Sequence, residues 1–200
     1  MASALQKSQH DWFGALSQFS SVGPVLASHP MKKILITGMS GTGKSAVIRE
    51  LGFRGFDAID TDSDDCSEWK DVPVFGDASG TAVEPDWVWR ENRIARLLDD
   101  HFPEPLFVSG CKSNQGKFYP QFDRVVLLSA STDVILDRIE RRTTNSWGKS
   151  EQERALILEQ IETVEPLLRA TSDIEIDTGV TTLEEVVDAL IALAGDDTRL

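Results

Sequence analysis

The chain has 200 residues, 40% of them apolar, enough to fill the core of one α/β domain. Twenty Lys and Arg stand against 33 Asp and Glu, and the formal net charge of −13 excludes a basic face for nucleic-acid phosphates; any polyanion must bind at one local site. Two cysteines, Cys66 and Cys111, are too few for a disulfide framework or a zinc cluster, and no apolar run approaches the roughly 18 residues of a membrane span, so a soluble cytoplasmic protein without nucleic-acid or membrane partners is expected.

Residues 1–30 are rich in Ser, Gln, His and Gly, and Trp12, Leu16 and Phe19 recur at the spacing of one helix face. They read as an N-terminal extension, flexible or a short amphipathic helix. The start shows no basic-then-apolar signal pattern, and its few basic residues do not suit a transit peptide. A single domain is expected over 31–200, opening at Met31-Lys32-Lys33. Its first strand, Lys33 to Thr37, runs into Gly38-Met39-Ser40-Gly41-Thr42-Gly43-Lys44-Ser45, which fits the phosphate-loop pattern G-x-x-x-x-G-K-[ST] at every fixed position. The helix-compatible Ser45 to Leu51 follows. In such a loop the backbone N–H groups of Gly38, Ser40, Gly41, Thr42 and Gly43 point at phosphate oxygens, aided by the positive end of the helix dipole. Lys44 then reaches the β- and γ-phosphates of ATP, and the Ser45 hydroxyl ligates Mg²⁺.

A short second strand, around Phe56 to Asp60, ends in Asp60-Thr61-Asp62. Side chains at i and i+2 of an extended segment point the same way, so Asp60 can hold the magnesium shell while Asp62 engages an acceptor hydroxyl. A solvated acidic turn is the other reading. Cys66 to Pro85 reads as a polar connection, and Asp86 to about Asp100 as a helix with Val88, Ile94, Leu97 and Leu98 inward. The third strand, Leu106 to Ser109, ends at Gly110, where a glycine allows close backbone approach to a substrate; Lys112 and Asn114 follow, and a plain turn explains them equally well.

Asp123 to Ser129 forms the fourth strand, and Ser131 caps a helix to about Arg142. Arginines cluster at Arg90/Arg93/Arg96 and Arg138/Arg141/Arg142, and the second cluster enters a polar stretch, 143–150, suited to a lid over the triphosphate. Complementing the helix C-terminus is the alternative use of these arginines. Glu151 to Ala170 reads as one helix, followed by a last strand, Asp173 to Asp177, and a closing helix, Leu183 to Leu193. This alternation implies a parallel sheet with helices on both faces, and right-handed crossovers place the glycine loop centrally, in the strand order 2-3-1-4-5.

The glycine loop, Asp60-Thr61-Asp62, Trp89-Arg90, Arg142-Thr143 and Pro166-Leu167-Leu168 with Ile174-Glu175-Ile176-Asp177 together resemble the shikimate kinase, gluconate kinase and adenylate kinase-like group of P-loop kinases. The resemblance runs from Met31 nearly to the end. It implies a three-layer α/β sandwich and ATP-dependent phosphoryl transfer to a small hydroxylated or phosphorylated metabolite, by a monomer or homodimer. By the same resemblance Asp60 sits near Mg²⁺, Asp62 and Arg90 contact the acceptor, Arg142 packs on adenine, and Asp177 and Thr178 flank the base. Two departures speak against shikimate itself: Ser109-Gly110-Cys111 stands in place of a triple glycine, and Val164 stands where the group carries an arginine two residues before the proline. A nucleoside or nucleotide kinase and a non-catalytic nucleotide-binding regulatory module are the alternatives. A switch GTPase is excluded by the missing N-K-x-D motif, and a transporter or motor ATPase by the lack of an extra signature or larger domain.

Overall fold

The computed structural model describes residues 32–63, 65–73, 79 and 81–195; the extension expected over 1–30 lies outside the described residues. The elements run β1 (Lys33–Thr37), α1 (Lys44–Phe53), β2 (Asp57–Asp60), β3 (Ser67–Pro73), β4 (Val83–Trp89), α2 (Glu91–Asp99), β5 (Leu106–Ser109), a 3-10 stretch (Gln115–Gln121), β6 (Arg124–Ser129), α3 (Thr132–Arg141), α4 (Glu151–Thr163), α5 (Glu165–Thr171), β7 (Ile174–Asp177) and α6 (Leu183–Gly195). Five strands form one parallel sheet in the order β2-β5-β1-β6-β7, which is the expected 2-3-1-4-5 pattern once the two strands of a hairpin, β3 and β4, are counted.

Strand alternation divides the core between the faces of this sheet. Ile34, Ile36, Phe107, Val126 and Leu128 point to one side and pack on Val47, Ile48 and Leu51 of α1 and on Val186, Val187 and Leu190 of α6. Leu35, Leu106, Val108 and Val125 point to the other, against Ile94, Leu97 and Leu98 of α2 and against Phe118. A third cluster, of Met39, Leu127, Ile135, Ile139, Ile157 and Leu168, ties α3, α4 and α5 to the loop end of β6. Helix starts follow local chemistry: the Ser131 hydroxyl accepts from Val134 N, and Ser150 with Glu153 forms a reciprocal capping box that opens α4.

Three expectations are corrected. The segment 66–85 is not simply a polar connection, because β3 pairs antiparallel with β4 from Ser67↔Trp89 outward to Pro73↔Val83. Half of the residues of this ribbon are exposed and few are buried, so it lacks the half-buried alternation that marks a strand in sequence. Asp86 to Trp89 therefore belongs to a strand, and the helix starts only at Glu91, after Arg90 in an extended conformation. The helix expected over 151–170 breaks at Val164, because Pro166 has no N–H to continue the ladder.

Trp89 fastens the hairpin to the sheet. It is 1% exposed, packs edge-on against Phe118, and donates from Nε1 to Thr61 Oγ1 at 2.7 Å. The Asn114 side chain pairs with both backbone groups of Trp89, accepting from its N–H at 3.0 Å and donating to its carbonyl at 2.9 Å. Gly110 completes this joint: a Cβ there would lie 2.5 Å from Thr61 Oγ1 and 2.9 Å from the Trp89 ring. Its missing side chain makes room for the protein's own indole. Gly110→Ala is expected to destabilise the fold by about 1–3 kcal/mol through overpacking, read as a lower denaturation midpoint at unchanged m-value.

Candidate functional site

The glycine loop leaves β1 at the centre of the sheet and turns back into α1. At Gly38, with φ 144°, the chain passes so close to β6 that a Cβ would sit 2.2 Å from the Leu128 carbonyl oxygen. Gly43 adopts the left-handed conformation at φ 99° and starts α1, whose first amides carry no side-chain cap. Inside the turn the buried Thr42 hydroxyl donates to Met39 O at 2.9 Å.

A second set of contacts fixes the loop from behind. The Thr178 hydroxyl, just past β7, lies 3.0 Å from the carbonyls of both Thr42 and Ser129. Arg138 of α3 donates to that hydroxyl at 2.8 Å and to the Thr178 carbonyl at 2.7 Å, and approaches Gly41 O at 3.4 Å. Thr178 thus anchors the loop, while Asp177 is exposed and accepts from Gly179 N at 2.8 Å, away from the loop cleft.

At the head of α1, Lys44 Nζ donates to the loop's own carbonyls, Gly38 O at 2.6 Å and Met39 O at 3.1 Å. The Ser45 hydroxyl donates to Asp60 Oδ2 at 2.7 Å. The other Asp60 oxygen accepts from Asp62 N at 3.2 Å. Across the sheet Asp60 pairs with Ser109, and Ser109 with Ile36, so Ser109 stands between the Asp60 strand and the loop strand. Its Oγ is buried and has no hydrogen-bond partner. Ser109 shares strand parity with Phe107, which packs on the α1 side, the side where Ser45 begins. Sequence reasoning stopped at the neighbouring glycine; the signal was the strand-end position of a hydroxyl beside an acid-bearing strand.

Asp62 takes the next step outward. Its Oδ1 forms an ion pair with Lys112 Nζ at 2.7 Å, and the Lys112 side chain is only 7% exposed. Asp62, Lys44, Ser45, Arg138 and Arg142 line a common cleft of about 240 Å³ over the loop, together with Thr144 and Asn145. Arg142 Nη1 donates to Ser40 Oγ at 3.3 Å and its other terminal nitrogen to the Trp147 carbonyl, while the buried Nε has no partner. Burial holds this guanidinium's pKa below its ordinary value.

Arg141 points away and pairs with Asp137 at 2.9 Å. The cleft does not include Arg90, which donates to Ser67 O at 3.2 Å and to Glu68 at 2.9 Å beside the hairpin. Within 143–150, Gly148 is buried and its amide donates to Glu153 at 3.0 Å, so the segment is tethered at that end while Thr144 and Asn145 face the cleft.

This arrangement offers a phosphate cradle with an ammonium group, a hydroxyl and carboxylate pair suited to a magnesium ion, a second carboxylate, and two guanidinium groups. Among the described residues no cluster of three His, Cys, Asp or Glu is poised to hold a metal alone. A hard cation that keeps most of its waters and takes phosphate oxygens needs no such cage. Ser45, Asp60 and the orphaned Ser109 hydroxyl fit that ion.

Residues 34–159 match the family model described as AAA domain. No curated protein sequence matches the chain. Among solved structures, the fold is similar to a shikimate kinase from Acinetobacter baumannii in complex with shikimate, with a TM-score of 0.55 and 17% identity over 84% of this chain and 97% of that one. A shikimate kinase from Bacteroides thetaiotaomicron gives 0.52 and 17% over 83% and 99%. A gluconokinase from Sinorhizobium meliloti gives 0.51 and 20% over 82% and 92%. These likenesses establish a P-loop kinase-type fold. Among the described residues no helix is long and apolar enough to cross a membrane.

Because Arg138 holds the loop to the β7 end through charged hydrogen bonds, Arg138→Met is expected to cost about 1–3 kcal/mol of stability. Chemical denaturation measures it. Amide exchange should quicken around Thr42 and Thr178 in the same variant.

Proposed function

The chain belongs to the AAA domain family, and from that premise we propose that it is an ATP-dependent kinase transferring the γ-phosphoryl group to a hydroxyl of a small metabolite. The observation that carries this reading is the Ser45–Asp60 hydrogen bond of 2.7 Å at the head of the glycine-loop helix, with a second carboxylate, Asp62, in the same cleft. A module that only binds nucleotide needs the cradle; it does not need a further carboxylate beside the phosphates.

In this reading the loop amides and the α1 dipole bind the β- and γ-phosphates. Lys44, which donates to Gly38 O and Met39 O, exchanges these contacts for phosphate oxygens. Ser45, Asp60 and Ser109 would hold Mg²⁺, directly or through its waters, and the ion supplies charge neutralisation on the transferring group. Asp62 orients the acceptor hydroxyl and takes its proton. Arg138 and Arg142 bring positive charge to the phosphates, and Thr144 and Asn145 shield the cleft from water.

Lys44→Ala is expected to leave stability within about 1 kcal/mol of the parent, since it removes only partly exposed contacts to the loop. Phosphoryl transfer should fall by several orders of magnitude through lost charge stabilisation. Calorimetric melting and a coupled ADP assay read the two effects. Asp60→Asn and Asp62→Asn each remove charge and little volume, so ATP affinity should change modestly while kcat drops roughly 100-fold or more. Unchanged turnover in both would assign the chemistry elsewhere.

A further inference from the structure

The register of β3 on β4 puts Ser67, Trp69, Trp87 and Trp89 on one face of the hairpin. Along this row exposure increases away from the sheet: Trp89 is buried, Trp87 half-buried, and Trp69 70% exposed. The Trp69 and Trp87 rings lie 5.4 Å apart, tilted by 53°. Two large indoles left partly in water are costly, and they offer a flat, weakly polar surface on which a ring ligand stacks.

Lys112 joins that surface to the phosphate cleft. Its Nζ is 2.7 Å from Asp62 Oδ1 and 5.8 Å from the centre of the Trp87 ring. One ammonium group therefore separates the acid that faces the glycine loop from the indole, a span that a single small molecule covers. Charge at this point is already matched within the protein. Lys112 is engaged by Asp62, and Arg90 by Glu68 at 2.9 Å. An acceptor carboxylate would have to displace one of these carboxylates and would face the negative charge of Asp62. The hollow that carries Lys70, Arg93 and Arg96 includes none of Asp62, Lys112 and Trp87.

We propose that Trp87, Trp69, Lys112 and Asp62 form the acceptor subsite, and that the acceptor is a neutral ring compound with a free hydroxyl, either a sugar or a nucleoside. The inference rests on the kinase reading above. The ring lies on Trp87 with its hydroxyl at Asp62. The carboxylate takes the hydroxyl proton, the acceptor oxygen bonds to the γ-phosphorus, and the bond from that phosphorus to the β–γ bridging oxygen breaks, releasing ADP. Lys112 positions Asp62 and, through its contact with the indole, the ring edge.

The test uses the full chain with ATP and Mg²⁺, and follows ADP formation with pyranoses, nucleosides, and the carboxylates shikimate and gluconate. A neutral ring compound should exceed the carboxylates by roughly tenfold or more in kcat/KM, and the pyranose and nucleoside arms tell the two sources apart. With the accepted compound, Trp87→Leu should raise the acceptor KM roughly tenfold and leave the ATP Kd within about twofold, while Trp87→Phe restores most of the loss. Trp69→Leu, at the exposed end, keeps the test independent of any folding defect at Trp87 and should raise the same KM. Preference for a carboxylate, or an acceptor KM indifferent to both Trp→Leu changes, overturns the subsite while the kinase reading stands. If no compound of any class raises ADP formation, the kinase reading falls and the subsite with it.

Discussion

The backbone of Gly38 lies against the Leu128 carbonyl with no room for a Cβ, and this contact sets where the glycine loop can be. Because β1 sits between β5 and β6, the loop emerges at the middle of the sheet with the ends of β2, β5, β6 and β7 arranged around it. Each of those ends then supplies a group at a defined distance from the phosphate cradle: Asp60 from β2, Ser109 from β5, Leu128 and Ser129 carbonyls from β6, Thr178 from beyond β7. The loop is in turn held from behind by Thr178 and Arg138, so the cradle is a preformed feature rather than one assembled by the ligand.

Strand parity explains which of these groups act together. Asp60 and Ser109 lie opposite one another on neighbouring parallel strands and share the α1 side, where Ser45 begins its helix. Had either strand slipped by one residue, the carboxylate or the hydroxyl would face α2 and the two would no longer share a side with Ser45. Asp62 lies beyond the last paired residue of β2 and is free of that constraint. It reaches outward to Lys112 and forms the link between phosphate chemistry and the hairpin.

The β3-β4 hairpin stands between β2 and α2 as a two-stranded sheet of its own. One fold hosts many functions, and what differs is the set of side chains placed around the site. Here the ribbon is two-stranded, which is marginal by itself in water. It depends on Trp89, Asn114 and the bare Cα of Gly110 for its attachment. Rigid attachment at Trp89 with increasing exposure toward Trp69 gives a surface that is positioned at its base and accessible at its tip.

The glycine loop, the strand-end position of Asp60 and the parallel order of the sheet were legible in the amino-acid sequence. Each depends on short-range facts: fixed spacing of glycines, and βα periodicity with one permitted handedness. What stayed hidden depends on residues distant in the chain. Ser67 to Pro73 and Val83 to Trp89 bury no continuous face, so only their pairing with each other identifies them as strands. Gly110 lies against Trp89, 21 positions earlier in the chain, and Arg90 pairs with Glu68 across the hairpin, neighbours that no local pattern announces. Ser109 and Lys112 carry no motif, and their roles come from what the sheet sets next to them. Local backbone chemistry determined the glycine loop, whereas the surroundings of Asp62 and Lys112 were decided by tertiary contacts, because those side chains converge only when β2, β5 and the hairpin have packed.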